Sequence, residues 1–293
     1  MNITLTGSLG HIGKPLAQQL IAQGHSVTVI SSNAERRAAI EELGAKAAIG
    51  SIEDTNFLIQ AFSGADAVFC MIPPAGFAEP DRVKHYEKVA HHYAEAIRRA
   101  DVKRVVHLSS FGAHLESGTG IIVGAYRAEK VLDQLDLAIT HVRPTYFYYN
   151  LHNFIGMIKN VGMMAANYGA SDKILLVAPA DIADAVADEI TQPAGQKIRY
   201  VASDERTGNE IAQVLGAAIG KHDLKWTLIS DEHMKSNMVS HGMPEILAEA
   251  MTEMFVSQHN GAMAEDFYLN RPQMGKIKLE DFAKEFVKAY QQQ

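Results

Sequence analysis

Two constellations in this 293-residue sequence could carry chemistry. The first is Tyr126-Arg127-Ala128-Glu129-Lys130, preceded by Ser109-Ser110. Tyr and Lys at i and i+4 share one helical face. A phenol with an unperturbed pKa of about 10 is a weak acid at neutral pH. A neighbouring ammonium stabilises the phenolate and brings the group towards the working range. So placed, Tyr126 would protonate a carbonyl oxygen under reduction, Lys130 would tune it, and Ser109 or Ser110 would hold the oxygen. The alternative is an ordinary solvated pair, which any exposed helix can carry. The second constellation is Gly7-Ser8-Leu9-Gly10-His11-Ile12-Gly13, spaced G-x-x-G-x-x-G. Such glycines make a tight turn, admit a pyrophosphate against the backbone and let a helix pack on a strand. The helix N-terminus then offers free N–H groups to the phosphates.

Both constellations need a scaffold, and the first half of the chain supplies an alternating one. Strand signals at Ile3–Thr6, His25–Ile30, Ala47–Ile49, Ala65–Ile72, Arg104–Ser109 and Ala138–Val142 alternate with helical ones. The helical spans are Lys14–Gln23, Ala34–Leu43 (capped by Asn33), Phe57–Phe62, Arg82–Ala100 and Ala125–Leu135. Such alternation predicts an α/β fold, a doubly wound parallel sheet with helices on both faces. The glycine loop sits between the first strand and the first helix, the context in which that motif is informative.

After about residue 150 the pattern becomes mainly helical, with Asp181–Ile190, a capping box at Thr207-Gly208-Asn209-Glu210, Glu245–Met254 and Glu280–Tyr290. Lys197–Val201 reads as a strand returning to the sheet. Residues 1–155, with 175–203 rejoining, are therefore read as a nucleotide-binding Rossmann domain, and 156–174 with 204–293 as a smaller substrate lobe. Of 12 methionines, 10 follow residue 150, so the lobe can line an adaptable apolar pocket or simply fill its core with them.

The end of the second strand bears on which nucleotide would bind. NAD-binding folds place an acid there for the ribose 2′-hydroxyl. Here the run is Ser31-Ser32-Asn33-Ala34-Glu35-Arg36-Arg37, with no acid at the strand end. Arg36 or Arg37 matches a 2′-phosphate, so NADP(H) is expected rather than NAD(H). Glu35 would serve NAD, but its place inside the predicted helix disfavours that.

Composition narrows the classes. The net charge of −7 disfavours nucleic acid and anionic membrane surfaces. A single cysteine, Cys70, excludes an intrachain disulfide. No signal peptide and no apolar run long enough to cross a bilayer is visible, so a cytoplasmic chain is expected. The 13 histidines form no metal-binding spacing, and neither an acyl-hydrolase elbow nor a P-loop occurs.

The sequence resembles the NmrA-like group of atypical short-chain dehydrogenases/reductases. The resemblance rests on Thr6–Gly13, Gly50-Ser51-Ile52-Glu53-Asp54, the stretch Val142-Arg143-Pro144-Thr145-Tyr146-Phe147-Tyr148-Tyr149-Asn150 and Ala180-Asp181-Ile182-Ala183-Asp184. It implies that Gly7, Ser8, Leu9, Gly10, His11 and Ile12 hold the pyrophosphate. Ser31, Ser32 and Asn33 would hold the adenosine ribose or its phosphate, and Ser51 and Ile52 the adenine. Met71, Ile72 and Pro73 would line the nicotinamide-side ribose, which Lys130 would also reach, and Pro144 and Tyr146 would border the nicotinamide. The group holds quinone and dye reductases as well as cofactor-sensing regulators. The expected function is an NAD(P)H-dependent oxidoreductase passing hydride to a small apolar quinone, carbonyl or conjugated acceptor, with room for a homodimer. A non-catalytic NADP(H) sensor is the alternative, and a sugar-nucleotide epimerase or dehydratase a weaker one.

Overall fold

The computed structural model describes residues 1–76, 79–193 and 195–292. The alternating half contains β1 (Asn2–Leu5), α1 (Gly13–Ala22), β2 (Ser26–Ser31), α2 (Arg36–Glu42), β3 (Lys46–Ile49), α3 (Thr55–Phe62), β4 (Ala67–Met71), α4 (Arg82–Arg99), β5 (Arg104–Leu108), α5 (Val123–Leu132) and β6 (Ala138–Pro144). β7 (Tyr146–Phe147) and a 3-10 segment (Tyr148–Phe154) then lead into α6 (Ile155–Val161), β8 (Met164–Ala166), β9 (Lys173–Val177), α7 (Pro179–Ile190), β10 (Ile198–Val201) and β11 (Asp204–Thr207). The chain continues as α8 (Gly208–Ala218), β12 (Trp226–Leu228), α9 (Asp231–Ser240), α10 (Glu245–His259), α11 (Glu265–Leu269) and α12 (Leu279–Gln292).

Seven strands form one sheet in the order β10-β6-β5-β4-β1-β2-β3. All its pairings are parallel. The strands are apolar on both sides because helices cover both: α1, α2 and α7 on one, α3, α4 and α5 on the other. Strand order reverses between β1 and β4, and such a switch point opens a crevice at the carboxyl ends of the strands. The predicted doubly wound Rossmann architecture is therefore present. One local difference concerns Asn33. It does not cap α2 directly; its Oδ1 accepts the Glu35 amide at 2.9 Å, and the helix begins at Arg36.

The lobe is mostly helical, but it also contains two small sheets that periodicity did not reveal, β11-β9-β7 and β12-β8. β9 pairs with β7 and β11 rather than with the main sheet. Strands of two to five residues are too short for a repeat to show. An aromatic core including Tyr148, Phe154, Trp226, Phe282 and Phe286 fills the lobe. The Ala180–Asp184 motif turns out to be a tether between the two parts of the chain. Buried Asp181 accepts from Ser203 Oγ at 2.6 Å and from the amides of Lys276 and Ile277 at 3.1 and 3.2 Å. This fixes the segment that delivers α12. No helix among the described residues is long and apolar enough to cross a membrane.

One polar chain crosses the α5 side of the sheet. His107 on β5 and His141 on β6 are fully buried, with their Nδ1 atoms 3.0 Å apart. His141 Nε2 lies 3.1 Å from Asp133, which also meets Lys197 at 3.0 Å. Two neutral rings satisfy this pattern: His107 Nδ1–H donates to His141 Nδ1, and His141 Nε2–H donates to Asp133. Burial, with His141 adding to it, holds the His107 imidazole well below its ordinary range. The hydrogen bond from His141, together with Lys197, holds the Asp133 carboxyl down at about 2. An unfolded His107 would bind a proton below about pH 6.5 that the folded chain refuses, so its contribution to stability is present above that pH and lost below it. The Asp133 contribution is lost only on further acidification, from its ordinary pKa down towards 2. Thermal denaturation is expected to show Tm falling from pH 7 to pH 5. His107→Leu should flatten that slope, and an unchanged slope would refute the assignment.

Candidate functional site

The glycine loop is built as a strand–turn–helix corner, and its three glycines differ in what requires them. Gly7 has φ +92°, and a Cβ there would run into the Met71 side chain. A Cβ on Gly13 would stand 2.1 Å from the Ser8 carbonyl oxygen. Both are demanded by the fold. A Cβ on Gly10 would meet only the Gly7 carbonyl, at 3.4 Å, so close packing of the protein does not explain that glycine. The amides of Leu9, Gly10, His11 and Ile12 donate to no protein group among the described residues. They lead into α1, whose N-terminus favours negative charge. A bare backbone at Gly10 beside free amides fits a pyrophosphate.

The loop opens onto a cleft of about 860 Å³. Gly7, Ser8, Ser31, Ser32, Gly50, Ser51, Ile52 and Pro73 line it, as the sequence predicted for several of them. Ser8 Oγ donates to Ser31 Oγ at 3.0 Å, joining the loop to the end of β2. The far wall is the Pro73–Gly76 segment, whose Pro73 carbonyl lies 3.0 Å from His85 Nε2. Arg82 donates to the Ala75 carbonyl and further fixes this wall. Met71 is set by Thr6, whose Oγ1 accepts the Met71 amide at 2.8 Å, and by Tyr93, whose hydroxyl donates to the Met71 carbonyl at 2.7 Å.

Sequence reasoning missed the charged rim of this cleft, which carries Glu53, Glu79, Lys84, His85 and Lys88. The spacing of Lys84 and Lys88 at i and i+4 was the available signal. Lys88 meets Glu53 at 2.6 Å and, as the main cause, holds its carboxyl below the usual range. Arg36 is exposed and is not among the residues lining the cleft, and Arg37 pairs with Glu41 at 3.5 Å. Leu9 and Ile12 pack into the main core, and Ile72 turns into the core beneath α4. These three contribute backbone, not side chain, to the site. Pro144 is buried and its carbonyl accepts the Phe111 amide at 3.0 Å. Tyr146 receives the Tyr168 hydroxyl at 3.2 Å, and burial raises its pKa to about 12, so it stays a neutral phenol.

The structure separates the predicted Tyr126–Lys130 pair from the predicted serines. α5 buries Gly124, Ala125, Ala128, Glu129, Val131 and Leu132. At 100° per residue, Tyr126 and Lys130 fall on the outer side. Tyr126 donates weakly to Glu116 at 3.4 Å, in a groove shared with Glu87, His91, Lys130 and Gln134. The Lys130 ammonium sits 5.2 Å from the Tyr126 ring centroid. The face off the core looks at solvent here, not at the cleft.

Glu129, between them in sequence, turns inward. It is 5% exposed and accepts from Ser109 Oγ. It also takes Arg143 Nε at 2.9 Å and Nη2 at 2.7 Å. Arg143 continues to the Tyr200 hydroxyl at 3.1 Å and to Asp266 at 3.2 Å. Ser109 is thereby committed to Glu129. The Ser110 hydroxyl donates only to the adjacent Phe111 carbonyl, at 3.1 Å. The signal for this network was an arginine inside a buried strand, which has to find a carboxylate.

These roles predict different outcomes at two glycines. Gly10→Ala is expected to melt like the wild type but to bind nicotinamide nucleotide at least ~10-fold more weakly, since a methyl would displace the phosphate. Gly13→Ala should cost about 1–3 kcal/mol of stability by overpacking. Thermal melts beside fluorescence titrations check both.

Comparisons agree with this geometry. The chain is 26% identical over 255 residues to an NAD(P)H azoreductase from Xenophilus azovorans, covering 86% of each chain. A Citrobacter sp. triphenylmethane reductase superposes with a TM-score of 0.82 at 20% identity, over 98% of this chain and 100% of that one. An NADPH-dependent quinone oxidoreductase from Escherichia coli, solved with NADPH, gives 0.81 at 20% identity over 97% and 99%. The model of the NmrA-like family matches residues 1–280, and the chain belongs to that family.

Proposed function

We propose that this chain is an NAD(P)H-dependent oxidoreductase that prefers NADPH and reduces a small, apolar, conjugated acceptor such as a quinone, an azo compound or an activated carbonyl. The observation that carries the reading is the cradle at Gly10, where four free amides and a bare backbone await an anion that the protein does not supply. The azoreductase relative, covered over most of its length, supports the reaction class. For NADPH, the support is that no acid stands between Ile30 and Ala34, and that Ser31 and Ser32 line the cleft at the end of β2.

A bound reduced nicotinamide supplies a hydride. The chain would hold the pyrophosphate on Leu9–Ile12, hold the adenosine between the Ser51–Ile52 turn and the Pro73–Gly76 wall, and keep β5 and β6 at fixed height beside it. With Tyr126 on the outer face of α5, the proton for a reduced acceptor comes from solvent. That suits quinones and conjugated dyes, whose reduced forms spread charge and need little acid assistance from the protein. Tyr146, as a neutral phenol, serves as a hydrogen-bond partner and not as a base.

The outward Tyr126 also favours a second reading, a cofactor-binding regulator without turnover. A panel of quinones, azo dyes and aldehydes followed by NADPH oxidation separates the two. Turnover with Tyr126→Phe within about 2-fold of wild type is expected. A collapse of 100-fold or more would restore Tyr126 as the proton donor, since general acid catalysis is worth roughly 10²–10⁴. Tight NADPH binding with no turnover on any acceptor would instead establish the regulator. A lower Kd for NADH than for NADPH would overturn the nucleotide preference.

A further inference from the structure

One side chain of the glycine loop faces out of the core. His11 is exposed, yet its ring is not free: it stacks on Tyr149, with centroids 4.6 Å apart and planes inclined by 23°. Tyr149 also stacks on Phe147, at 5.1 Å and 19°. Phe147 belongs to β7 and packs against the main core, where Leu9 of the same glycine loop also packs. The loop is thus held from the β7 side through the His11 ring.

The segment that carries Tyr149 is itself fixed. Tyr148, its neighbour, is buried and stacks on Phe282 of α12 at 5.3 Å. His152 lies against Phe282 at 5.2 Å and Phe286 at 5.8 Å. The backbone that carries Tyr149 is therefore a short 3-10 segment clamped by the last helix of the chain.

The amides that would bind phosphate belong to a turn whose own N–H groups from Leu9 to Ile12 donate to no protein group among the described residues, and which is tied to α1 only through the Gly10 and Ile12 carbonyls, accepting the Lys14 and Leu16 amides at 3.1 Å each. On its amide side such a turn is steadied by what packs on its side chains. We propose that Tyr149 is a positioning residue for the cofactor, acting through the His11 ring to hold the Leu9–Ile12 amides ready for pyrophosphate. The proposal rests on reading that loop as the nucleotide cradle. A preformed cradle binds more tightly because the ordering cost is met before the ligand arrives. The contact reaches the pyrophosphate end of the cofactor and no reacting atom, so it should appear in cofactor affinity and not in the hydride step.

The experiment is NADPH titration by fluorescence, with melting curves to establish folding, on wild type, Tyr149→Leu, Tyr149→Phe, His11→Ala and the His11→Ala/Tyr149→Leu double variant. An aromatic pair of this kind predicts roughly 3- to 10-fold weaker binding for Tyr149→Leu and for His11→Ala. Tyr149→Phe, which keeps the ring, should bind like wild type. The double variant should lose no more than the worse single one, because both remove the same contact. With an acceptor present, KM for NADPH should rise while kcat at saturating NADPH stays within about 2-fold. Unchanged affinity in Tyr149→Leu, or losses that add in the double variant, would overturn the positioning role while leaving the cradle standing. A wild-type chain that binds neither nucleotide would overturn the cradle, and the positioning role with it.

Discussion

The Glu129–Arg143 pair is the interaction on which the upper half of this molecule depends. It joins α5 to β6 through two parallel N–H···O bonds, takes Ser109 at the end of β5, and passes through Arg143 to Tyr200 on β10 and Asp266 on α11. Nearby acceptors keep the guanidinium charged despite its burial, pushing its pKa above the ordinary value. A buried pair of this kind is not cheap, since each ion must be stripped of water. What it contributes is alignment: the ends of β5, β6 and β10 sit at one height, and the C-terminal lobe is tied to the same point. Removing either partner would leave a buried charge exposed to loss of about 3–5 kcal/mol.

The cleft beside it is made by backbone more than by side chains. Gly7 and Gly13 are needed for the corner to close, Ser8 and Ser31 pin it to β2, and Gly10 is the glycine of the loop that close packing of the protein does not require. The lobe then does two jobs with one set of contacts. Its aromatic core clamps α12 to the 3-10 segment after β7, and Asp181 ties the approach to α12 back to the strand-end region. The shape of the lobe and the geometry of the glycine loop are in this way built from the same packing.

Much of the scaffold is legible in the amino-acid sequence. Strand–helix alternation, the position of the glycine loop and the Thr207–Glu210 capping box all appear in the structure where their patterns placed them. These are local signals, written by side-chain periodicity and by glycine and cap chemistry. The residues Ser31, Ser32, Ser51, Ile52 and Pro73, which the family resemblance implied, line the cleft and lie at strand ends, where such sheets gather ligands. The short strands of the lobe were not legible, being shorter than any period.

Residue order alone says which side chains stand three, four or seven apart. That suffices to say that Tyr126 and Lys130 share a helix face and that Gly7, Gly10 and Gly13 make a turn. Where that helix face points depends on long-range packing. α5 rolls Glu129 inward because a buried arginine on β6, 14 residues on, requires a carboxylate, and this turns Tyr126 out to solvent. The same holds for His11, whose partner Tyr149 lies far along the chain. Periodicity fixes a residue's angle about its own axis, but the direction of that angle in space is set by whichever long-range contact costs most to leave unmade.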